Sequence, residues 1–289
     1  MCKSPIASGY HPNTLITGCS SGIGFSAAKL LHQRGYNVVA TVRKPQDALA
    51  LQQLGITTTE LDLTDSKSIT AAVEFTLEYF NGQLDALFNN ASYGQPGAVE
   101  DLNRDVLQQQ FSTNVFGTQE LTNLVIAQMR KQGHGRIIYN SSVLGLVSMA
   151  YRGAYNASKY AIEGLADTLR LELYDTDIHI SLIEPGPITS KFRANAFIKY
   201  QQNIDKEKSA HKAIYNAMEL RLTKHGPAAP FTLPPEAVVT KLIHAIESKR
   251  PKIRYYVTFP TYLFATLKRL LPHRCLDWVL IKISAAENK

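Results

Sequence analysis

Short runs of apolar and β-branched residues alternate with longer amphipathic segments along the first two-thirds of the chain. The segments between these runs, such as FSAAKLLHQRG and SITAAVEFTLEYF, place apolar residues with the period of a helix. The runs themselves predict six strands: TLIT (14–17), NVVAT (37–41), TTTELDL (57–63), LDALFNN (84–90), GRIIYNS (135–141) and IHISLIEP (178–185). This alternation predicts a parallel sheet with helices on both of its faces.

Most of the predicted strands are nearly continuous apolar runs, as expected of strands that are buried on both faces. A seventh strand is predicted at KIRYYVT (252–258), after the helical segment PPEAVVTKLIHAIESK. We therefore expect one α/β domain over residues 1–289, a three-layer, doubly wound parallel sheet of about seven strands. Residues 190–235 are polar and have an uneven hydrophobic pattern, which predicts a substrate-loop insertion. Residues 258–289 predict a C-terminal helical extension.

Composition narrows the class of protein. Hydrophobic residues make up 45% of the chain and charged residues 19%, which allows a sizeable core and argues against general disorder. Cys2, Cys19 and Cys275 have neither a metal-binding spacing nor a disulfide pattern, and the eight histidines form no metal-ligand pair, so we expect no metal site. No apolar run precedes Leu15 and none reaches 18 residues, which predicts a soluble, cytoplasmic protein.

The positive charge is concentrated near the C-terminus. The formal net charge is +7, and residues 249–274 contain seven Lys or Arg and no Asp or Glu. One interpretation is a solvated basic face. The other is peripheral contact with an anionic membrane, because FPTYLFATLKRLL mixes aromatic, apolar and basic residues as interfacial helices do. We expect no nucleic-acid partner, since no recognition motif accompanies the charge.

The first predicted strand leads directly into TGCSSGIG (17–24), and a helix follows. Glycines allow the tight turn and let backbone N–H groups approach a pyrophosphate, while the helix N-terminus favours negative charge. A glycine-rich loop alone is weak evidence of function, but its position between a first strand and an amphipathic helix is typical of Rossmann-type dinucleotide binding.

The second predicted strand indicates which dinucleotide is bound. A carboxylate at its end would bond the ribose 2′-hydroxyl of NAD. The strand ends instead in ATVRKP, with Arg43 and Lys44, and a guanidinium can bind a 2′-phosphate through two hydrogen bonds. We infer NADP(H), with Ser20 as a further donor to the phosphate; the alternative is that Arg43 is an ordinary loop charge.

The segment AYNASKYAIEG places Tyr155 and Lys159 one helical turn apart. An ammonium close to a phenol favours the phenolate, so we expect Lys159 to lower the pKa of Tyr155. Such a pair would serve proton transfer to a carbonyl oxygen. The alternative interpretation is an ordinary contact on a helix surface.

Four motifs, in this order and at this spacing, resemble the short-chain dehydrogenase/reductase family. They are TGCSSGIG, NNAS (89–92), a Ser followed after 12 intervening residues by Tyr-x-x-x-Lys, and EPGPITS (184–190). The resemblance covers roughly residues 12–195. The tail from FTLPPEAVV to LKRLLP is similar to bacterial NADP-dependent aldehyde reductases and to the hydroxysteroid and retinol dehydrogenases of the same branch. Ser92 departs from the family pattern, which has Gly there.

The resemblance implies a role for each motif residue. Tyr155 is the expected catalytic acid/base, and Lys159 its modulator, bonded to the nicotinamide ribose. Ser142 is expected to bind the carbonyl oxygen, with Ser141 as its rival if the register slips by one. Asn114 is expected to hold a water of the proton relay, although a satisfied buried amide is the alternative. The implied cofactor contacts are Gly18, Ser20, Ser21, Gly22, Ile23, Gly24, Arg43, Asp62, Leu63, Asn90, Ala91, Tyr155, Lys159, Pro185, Gly186, Ile188 and Thr189.

These observations predict NADPH-dependent reduction of a lipophilic aldehyde or ketone. The alternatives are a hydroxysteroid- or retinol-type alcohol dehydrogenase and a protein that senses NADP(H) without chemistry, although a sensor would not need an acid/base. The helix over residues 154–173 is expected to pair with a second copy in a homodimer. Apolar residues expected to line the substrate pocket follow the motifs: Tyr93, Val143, Leu144, Met149, Phe192 and Phe197.

Overall fold

Seven parallel strands form one sheet in this computed structural model, which describes residues 11–227 and 229–287. Residues 1–10 lie outside the described part of the chain. They include Cys2 and most of the N-terminal stretch from which we predicted that there is no signal peptide. The strands are β1 (Asn13–Ile16), β2 (Asn37–Val42), β3 (Thr57–Glu60), β4 (Ala86–Asn89), β5 (His134–Asn140), β6 (Asp177–Glu184) and β7 (Arg254–Tyr256). Their order in the sheet is β3-β2-β1-β4-β5-β6-β7, so the predicted doubly wound fold is confirmed.

Eleven helices are found in the described residues. They are α1 (Gly22–Gln33), α2 (Leu49–Gln52), α3 (Ser66–Tyr79), α4 (Arg104–Phe111), α5 (Thr118–Gln132), α6 (Gly153–Glu172), α7 (Phe192–Asn203), α8 (Lys212–Thr223), α9 (Glu236–Glu247), α10 (Phe259–Leu270) and α11 (His273–Glu287). A π-helical turn over Ser112–Gly117 joins α4 to α5. No helix among the described residues is long and apolar enough to cross a membrane.

Each face of the sheet carries its own apolar core. Successive strand residues point to opposite faces, so on β1 Leu15 enters one core and Ile16 the other. The Leu15 core is completed by side chains of α3, α5 and α6, and the Ile16 core by α1 and α9. Burial on both faces explains why the sequence shows nearly continuous apolar runs in place of a strict alternation.

The sheet reverses its winding direction between β1 and β4. The chain runs from β1 outward to β3, returns to β4, and then runs outward to β7. At such a reversal the loops after neighbouring strands diverge and leave a crevice at the carboxyl ends. The fold therefore gathers the loops after β1, β2, β4, β5 and β6 at one edge.

Three smaller clusters lie outside the two main cores, one of them formed by Leu102, Val106 and Ala154 where α4 meets α6. In the segment 190–235, α7 and α8 pack through Tyr200, Tyr215 and Met218. The C-terminal α10 and α11 pack around Val147 in a cluster that includes Phe264, Leu276 and Leu280.

Candidate active site

The motif residues collect at the carboxyl edge of the sheet. The glycine loop follows β1, Arg43 follows β2, Asn90 follows β4, Ser142 lies beyond β5, and Pro185 follows β6. The glycine loop and the first turns of α6, which carry predicted site residues, lie at this edge. The crevice at the winding reversal is where open α/β sheets bind ligands.

The glycine loop has backbone geometry that side chains would obstruct. Gly18 and Gly22 adopt φ values of +71° and +59°, which glycine alone accepts without strain. A Cβ atom at Gly24 would lie 2.2 Å from the carbonyl oxygen of Gly18. Helix α1 begins at Gly22, and the Ser21 side chain makes no capping hydrogen bond to its first turn. The loop is therefore a backbone cradle at a positive helix end, which suits a pyrophosphate.

Asn90 fixes the glycine loop to the middle of the sheet. Its Nδ2 donates hydrogen bonds to the carbonyl oxygens of Thr17 and Gly18, at 2.9 and 3.2 Å. Its Oδ1 accepts a hydrogen bond of 2.9 Å from Asn140 Nδ2. Ala91 lies against Gly18, because a Cβ atom at that glycine would be 2.8 Å from the Ala91 Cα. Asn90, which the family resemblance places at the cofactor, thus also shapes the loop that would hold it.

The end of β2 is attached to the same loop. The Gly18 N–H donates to Thr41 Oγ1 at 3.3 Å, and the Cys19 N–H donates to the Thr41 carbonyl at 2.8 Å. Arg43, two residues beyond Thr41, and Ser20 in the glycine loop are both exposed. A guanidinium therefore stands at the strand end where NAD-binding folds place a carboxylate.

The loop after β3 carries the predicted adenine contacts. Asp62 Oδ1 accepts hydrogen bonds from the backbone N–H and the hydroxyl of Thr64, at 2.9 and 2.8 Å. Leu63 is buried, and its carbonyl oxygen would lie 1.8 Å from a Cβ atom at Gly117. The close approach of Gly117 shows that the π-helical turn packs directly on this loop.

The segment after β6 is held from two sides. The Val143 N–H donates to the Pro185 carbonyl at 2.9 Å, and the Thr189 N–H donates to the Leu233 carbonyl at 2.9 Å. Ile188 forms a parallel bridge with the same leucine. A Cβ atom at Gly186 would lie 2.2 Å from the Thr258 hydroxyl, so only glycine fits there.

Tyr155 lies in the first turn of α6 and is half-buried. Burial raises its pKa to about 12, while a hydrogen bond from Ser142 and the charge of Arg152 act in the opposite direction. The phenol is therefore protonated at neutral pH. Ser142 Oγ also accepts a hydrogen bond of 3.1 Å from the Leu144 N–H, which fixes its position.

The pKa of Tyr155 is raised in this structure, whereas the sequence predicts that Lys159 lowers it. The Lys159 ammonium donates to the Asn140 carbonyl at 2.7 Å and lies 5.5 Å from the centre of the Tyr155 ring. Burial dominates the environment of both groups, so the pKa of Tyr155 rises and that of Lys159 falls to about 8. Lys159 is thus a buried ammonium beside the phenol, directed at a backbone oxygen.

Asn114 lies in the π-helical turn, a distortion often found at functional sites. Its Nδ2 donates to the Tyr93 carbonyl at 2.9 Å and to Ser158 Oγ at 3.0 Å, while its Oδ1 accepts from the Tyr93 N–H at 3.1 Å. The side chain is therefore the satisfied buried amide that the sequence left open. It joins the loop after β4 to α6.

The two serines after β5 point to different partners. The Ser142 side chain lies close enough to the Tyr155 phenol to lower its pKa, whereas the Ser141 hydroxyl donates to the Glu163 carboxylate. The Ser141 hydroxyl is therefore directed at Glu163, and Ser142 is the serine beside the phenol.

Only part of the predicted apolar lining lies at the tyrosine. The Phe192 ring packs edge-on against Tyr155, with 5.3 Å between ring centres, and it approaches Gly94 closely. Phe197 instead stacks on Tyr200 within the insertion, and Val143 packs toward the C-terminal helices. The remaining predicted lining residues are buried or half-buried: Tyr93, Leu144 and Met149.

Comparisons with known proteins place these features in a family. Residues 12–201 match the family model described as short chain dehydrogenase. The uncharacterized oxidoreductase YbbO of Escherichia coli (strain K12) is 42% identical over 268 residues, which is 93% of each chain. Human retinol dehydrogenase 8 is 32% identical over 269 residues, or 88% of this chain and 84% of the relative.

A solved structure shares the fold. It is a short chain dehydrogenase/reductase from Burkholderia phymatum in complex with NAD, superimposable with a TM-score of 0.77 at 23% identity, over 94% of this chain and 96% of that one. At this identity the likeness carries the architecture alone.

Proposed function

Because this chain belongs to the short chain dehydrogenase family, we propose that it uses NADPH to reduce a lipophilic aldehyde or ketone to the alcohol. The reaction is a reversible hydride transfer with Tyr155 as the acid/base. The observation that carries the proposal is the half-buried, protonated Tyr155 of α6, with the Lys159 ammonium 5.5 Å from its ring centre, at the sheet edge that also holds the glycine cradle.

The described residues fit a nicotinamide dinucleotide. The cradle of Gly18, Gly22 and Gly24 would receive the pyrophosphate at the start of α1, and Asn90 keeps that cradle rigid. When bound, the dinucleotide supplies a hydride to the carbonyl carbon. Arg43 supports NADP(H) over NAD(H), because a guanidinium attracts the 2′-phosphate and no carboxylate stands at the end of β2 to repel it.

The side chains of α6 and of the loop after β5 supply the proton and the polar contacts. As the carbonyl oxygen gains negative charge, the Tyr155 hydroxyl donates its proton to it, and Ser142 can donate a hydrogen bond to the same oxygen. The raised pKa of Tyr155, about 12, keeps the phenol protonated before the reaction, which suits the reductive direction. The Lys159 ammonium stabilises the phenolate that remains.

The surroundings of Tyr155 support a lipophilic substrate. Phe192 covers the phenol ring, and Leu144 and Met149 follow Ser142 in the chain with little exposed surface. Transfer of an apolar substrate into such surroundings gains about 25 cal/mol for each Å² of apolar surface buried.

A second candidate is alcohol oxidation of the retinol or hydroxysteroid type, which the likeness to human retinol dehydrogenase 8 favours. One experiment separates the two functions: initial rates with NADPH and a panel of medium-chain and aromatic aldehydes, and with NADP⁺ and the matching alcohols, retinol and a hydroxysteroid. The proposal expects the highest kcat/KM for NADPH and an aldehyde or ketone. Faster oxidation of retinol or the steroid would favour the second candidate, and no turnover in either direction would contradict both.

The C-terminal surface supports a proposal about membranes. On α10 the apolar residues Phe259, Tyr262, Leu263 and Leu270 are exposed along one helical face, and Lys268 and Arg269 occupy the last turn. We propose that this stripe contacts anionic lipid. Vesicles with phosphatidylserine should bind the protein, and Leu270→Glu should weaken binding; equal binding to neutral vesicles would contradict the proposal. Leu220→Glu, at an exposed leucine of α8, is the matched control.

The face of α6 away from the sheet supports a homodimer. Tyr160, Leu165 and Leu171 are exposed along it, which leaves apolar surface for a second copy. Light scattering should give twice the chain mass for the wild type and a lower mass for Leu165→Glu. A monomeric wild type at micromolar concentration would contradict this proposal.

A further inference from the structure

A buried cluster of charges begins one helical turn after the catalytic lysine. Arg254 of β7 contacts Glu163 Oε2 at 2.8 Å, Asp167 Oδ2 at 2.8 Å and Glu184 Oε1 at 3.0 Å. The Glu184 side chain is fully buried and that of Glu163 is 9% exposed. Three carboxyl groups thus surround one guanidinium, and buried carboxylates are costly unless they are paired or protonated.

One of the three carboxyl groups holds a proton, which reduces the excess of negative charge around Arg254. Burial and the neighbouring Glu163 raise the pKa of Glu184 to about 9, so Glu184 is neutral at neutral pH. Arg254 holds the pKa of Asp167 below its usual range. Glu163 accepts hydrogen bonds from both Arg254 and Ser141 in the interior, whereas Asp167 lies nearer the surface.

Glu163 is connected to the groups that hold both Lys159 and Tyr155. Lys159 and Glu163 are at positions i and i+4 of α6, on the same helical face, and both are buried. The Ser141 hydroxyl donates to the Glu163 carboxylate. In the chain, Ser141 lies between Asn140 and Ser142. The Asn140 carbonyl accepts a hydrogen bond from the Lys159 ammonium, and Ser142 acts on the phenol of Tyr155.

We propose that Glu163, held by Arg254 and Ser141, is the counter-charge that keeps Lys159 protonated and directed toward the active site. It is a positioning residue, because it acts through Lys159 and the structure gives it no contact with the phenol. This inference rests on the function proposed above, in which the Lys159 ammonium stabilises the phenolate. No residue of the family motifs quoted earlier supplies this charge.

The other groups around Lys159 leave this role to Glu163. On α6 the neighbour on the opposite side is the protonated Tyr155, and on β6 the titratable group Glu184, whose pKa is raised, lies beside Glu163 and Arg254. The turn over Val143–Gly145 and the π-helical turn over Ser112–Gly117, which both pack on α6, carry no titratable side chain. Helix α4 also packs on α6, but its charged residues Arg104 and Asp105 are exposed. Burial lowers the pKa of Lys159, and the Glu163 charge opposes that fall.

The first test measures the Lys159 proton directly. Protein with ¹³C-labelled lysine side chains is titrated by NMR, and the Lys159 signal is assigned by its loss in Lys159→Met. Glu163→Gln should lower the midpoint by about one pH unit or more, the size expected of one charge a helical turn away in partly buried surroundings. The double variant Glu163→Gln/Glu184→Gln should lower it at least as far, since Glu184 can no longer ionise in place of its neighbour.

Two variants serve as matched controls. Asp167→Asn removes the same charge and another Arg254 contact but lies two helical turns from Lys159, so the midpoint should move much less. Glu184→Gln replaces a neutral carboxyl group by a neutral amide and should leave the midpoint nearly unchanged. Unaltered Lys159 midpoints in both the single and the double Glu163 variants would overturn the proposal, as would an equal shift in Asp167→Asn.

The second test separates this inference from the proposed function. If the wild type reduces carbonyl compounds, the alkaline fall of its kcat should begin at lower pH in Glu163→Gln, while a purely structural role would lower kcat equally at every pH. Coincident pH profiles of wild type and variant would overturn the inference and leave the proposed function standing. A wild type that neither binds nor oxidises NADPH would refute the proposed function, and the NMR titration would still decide the Glu163–Lys159 coupling.

Discussion

Gly24→Ala is the sharpest steric test of the dinucleotide cradle. The added methyl carbon would lie 2.2 Å from the Gly18 carbonyl oxygen and 2.6 Å from Asn90 Nδ2. Carbon–oxygen contacts are ordinarily at least about 3.3 Å, so the methyl group overlaps the oxygen by roughly 1 Å. The oxygen belongs to backbone and cannot rotate away, so the loop itself has to move.

The size of the effect follows from the contacts that the movement breaks. Two hydrogen bonds from Asn90 to the loop, at 2.9 and 3.2 Å, are each worth about 0.5–1.5 kcal/mol. Strain from overpacking adds about 1–3 kcal/mol. We expect a loss of about 2–6 kcal/mol in the free energy of unfolding, which for 289 residues lowers Tm by roughly 3–10 °C.

Thermal denaturation with and without NADPH measures both consequences of the change. We expect Gly24→Ala to lower Tm in the absence of NADPH and to abolish most of the stabilisation that NADPH gives the wild type. Gly164→Ala, at a helical glycine with no atom within 4 Å of the added carbon, should raise Tm slightly through its helix propensity. Normal NADPH binding and normal stability in Gly24→Ala would refute the assignment of this loop as the pyrophosphate site.

Three further predictions follow from the site. Arg43→Ala should reduce the preference for NADPH over NADH about 10–100-fold, the worth of a charge-assisted hydrogen bond, whereas Lys29→Ala should not; an unchanged ratio of the two kcat/KM values would contradict the role of Arg43. The rate of carbonyl reduction should fall as the pH rises through about 8, because Lys159 loses its proton there while Tyr155, with a pKa of about 12, keeps its own; a rate that rises across this range would reverse the assignment. Ser142→Ala should lower kcat about 10²–10³-fold in stopped-flow assays with little change in NADPH affinity, and a normal kcat would exclude it as a donor to the reacting oxygen.

The architecture could be predicted because strong local signals agree with it. Leu15 and Ile16 are adjacent apolar residues that enter opposite cores. Because the strands are buried on both faces, each one can be recognised in the sequence as an apolar run. The tight turn at Gly18 and Gly22 could be predicted because few residue types accept a positive φ.

The directions of buried polar side chains could not be predicted in the same way. The Tyr155 and Lys159 spacing indicated proximity but could not show that Lys159 would reach the Asn140 carbonyl or that burial would dominate the pKa of the phenol. Nothing local to Arg254 indicates its partners, because Glu163 and Glu184 come from distant segments that the parallel sheet brings together. Tertiary packing, which sequence periodicity does not encode, decides these contacts.

The most direct test of the account compares the wild type with Tyr155→Phe. The single-turnover rate of NADPH oxidation by a saturating aliphatic or aromatic aldehyde is measured for both proteins, and their NADPH affinity is measured by fluorescence titration. Loss of the phenolic proton donor should slow hydride transfer about 10²–10⁴-fold while NADPH affinity stays within a few-fold of the wild type. A Tyr155→Phe variant that binds NADPH normally and oxidises it at the wild-type rate would contradict the account.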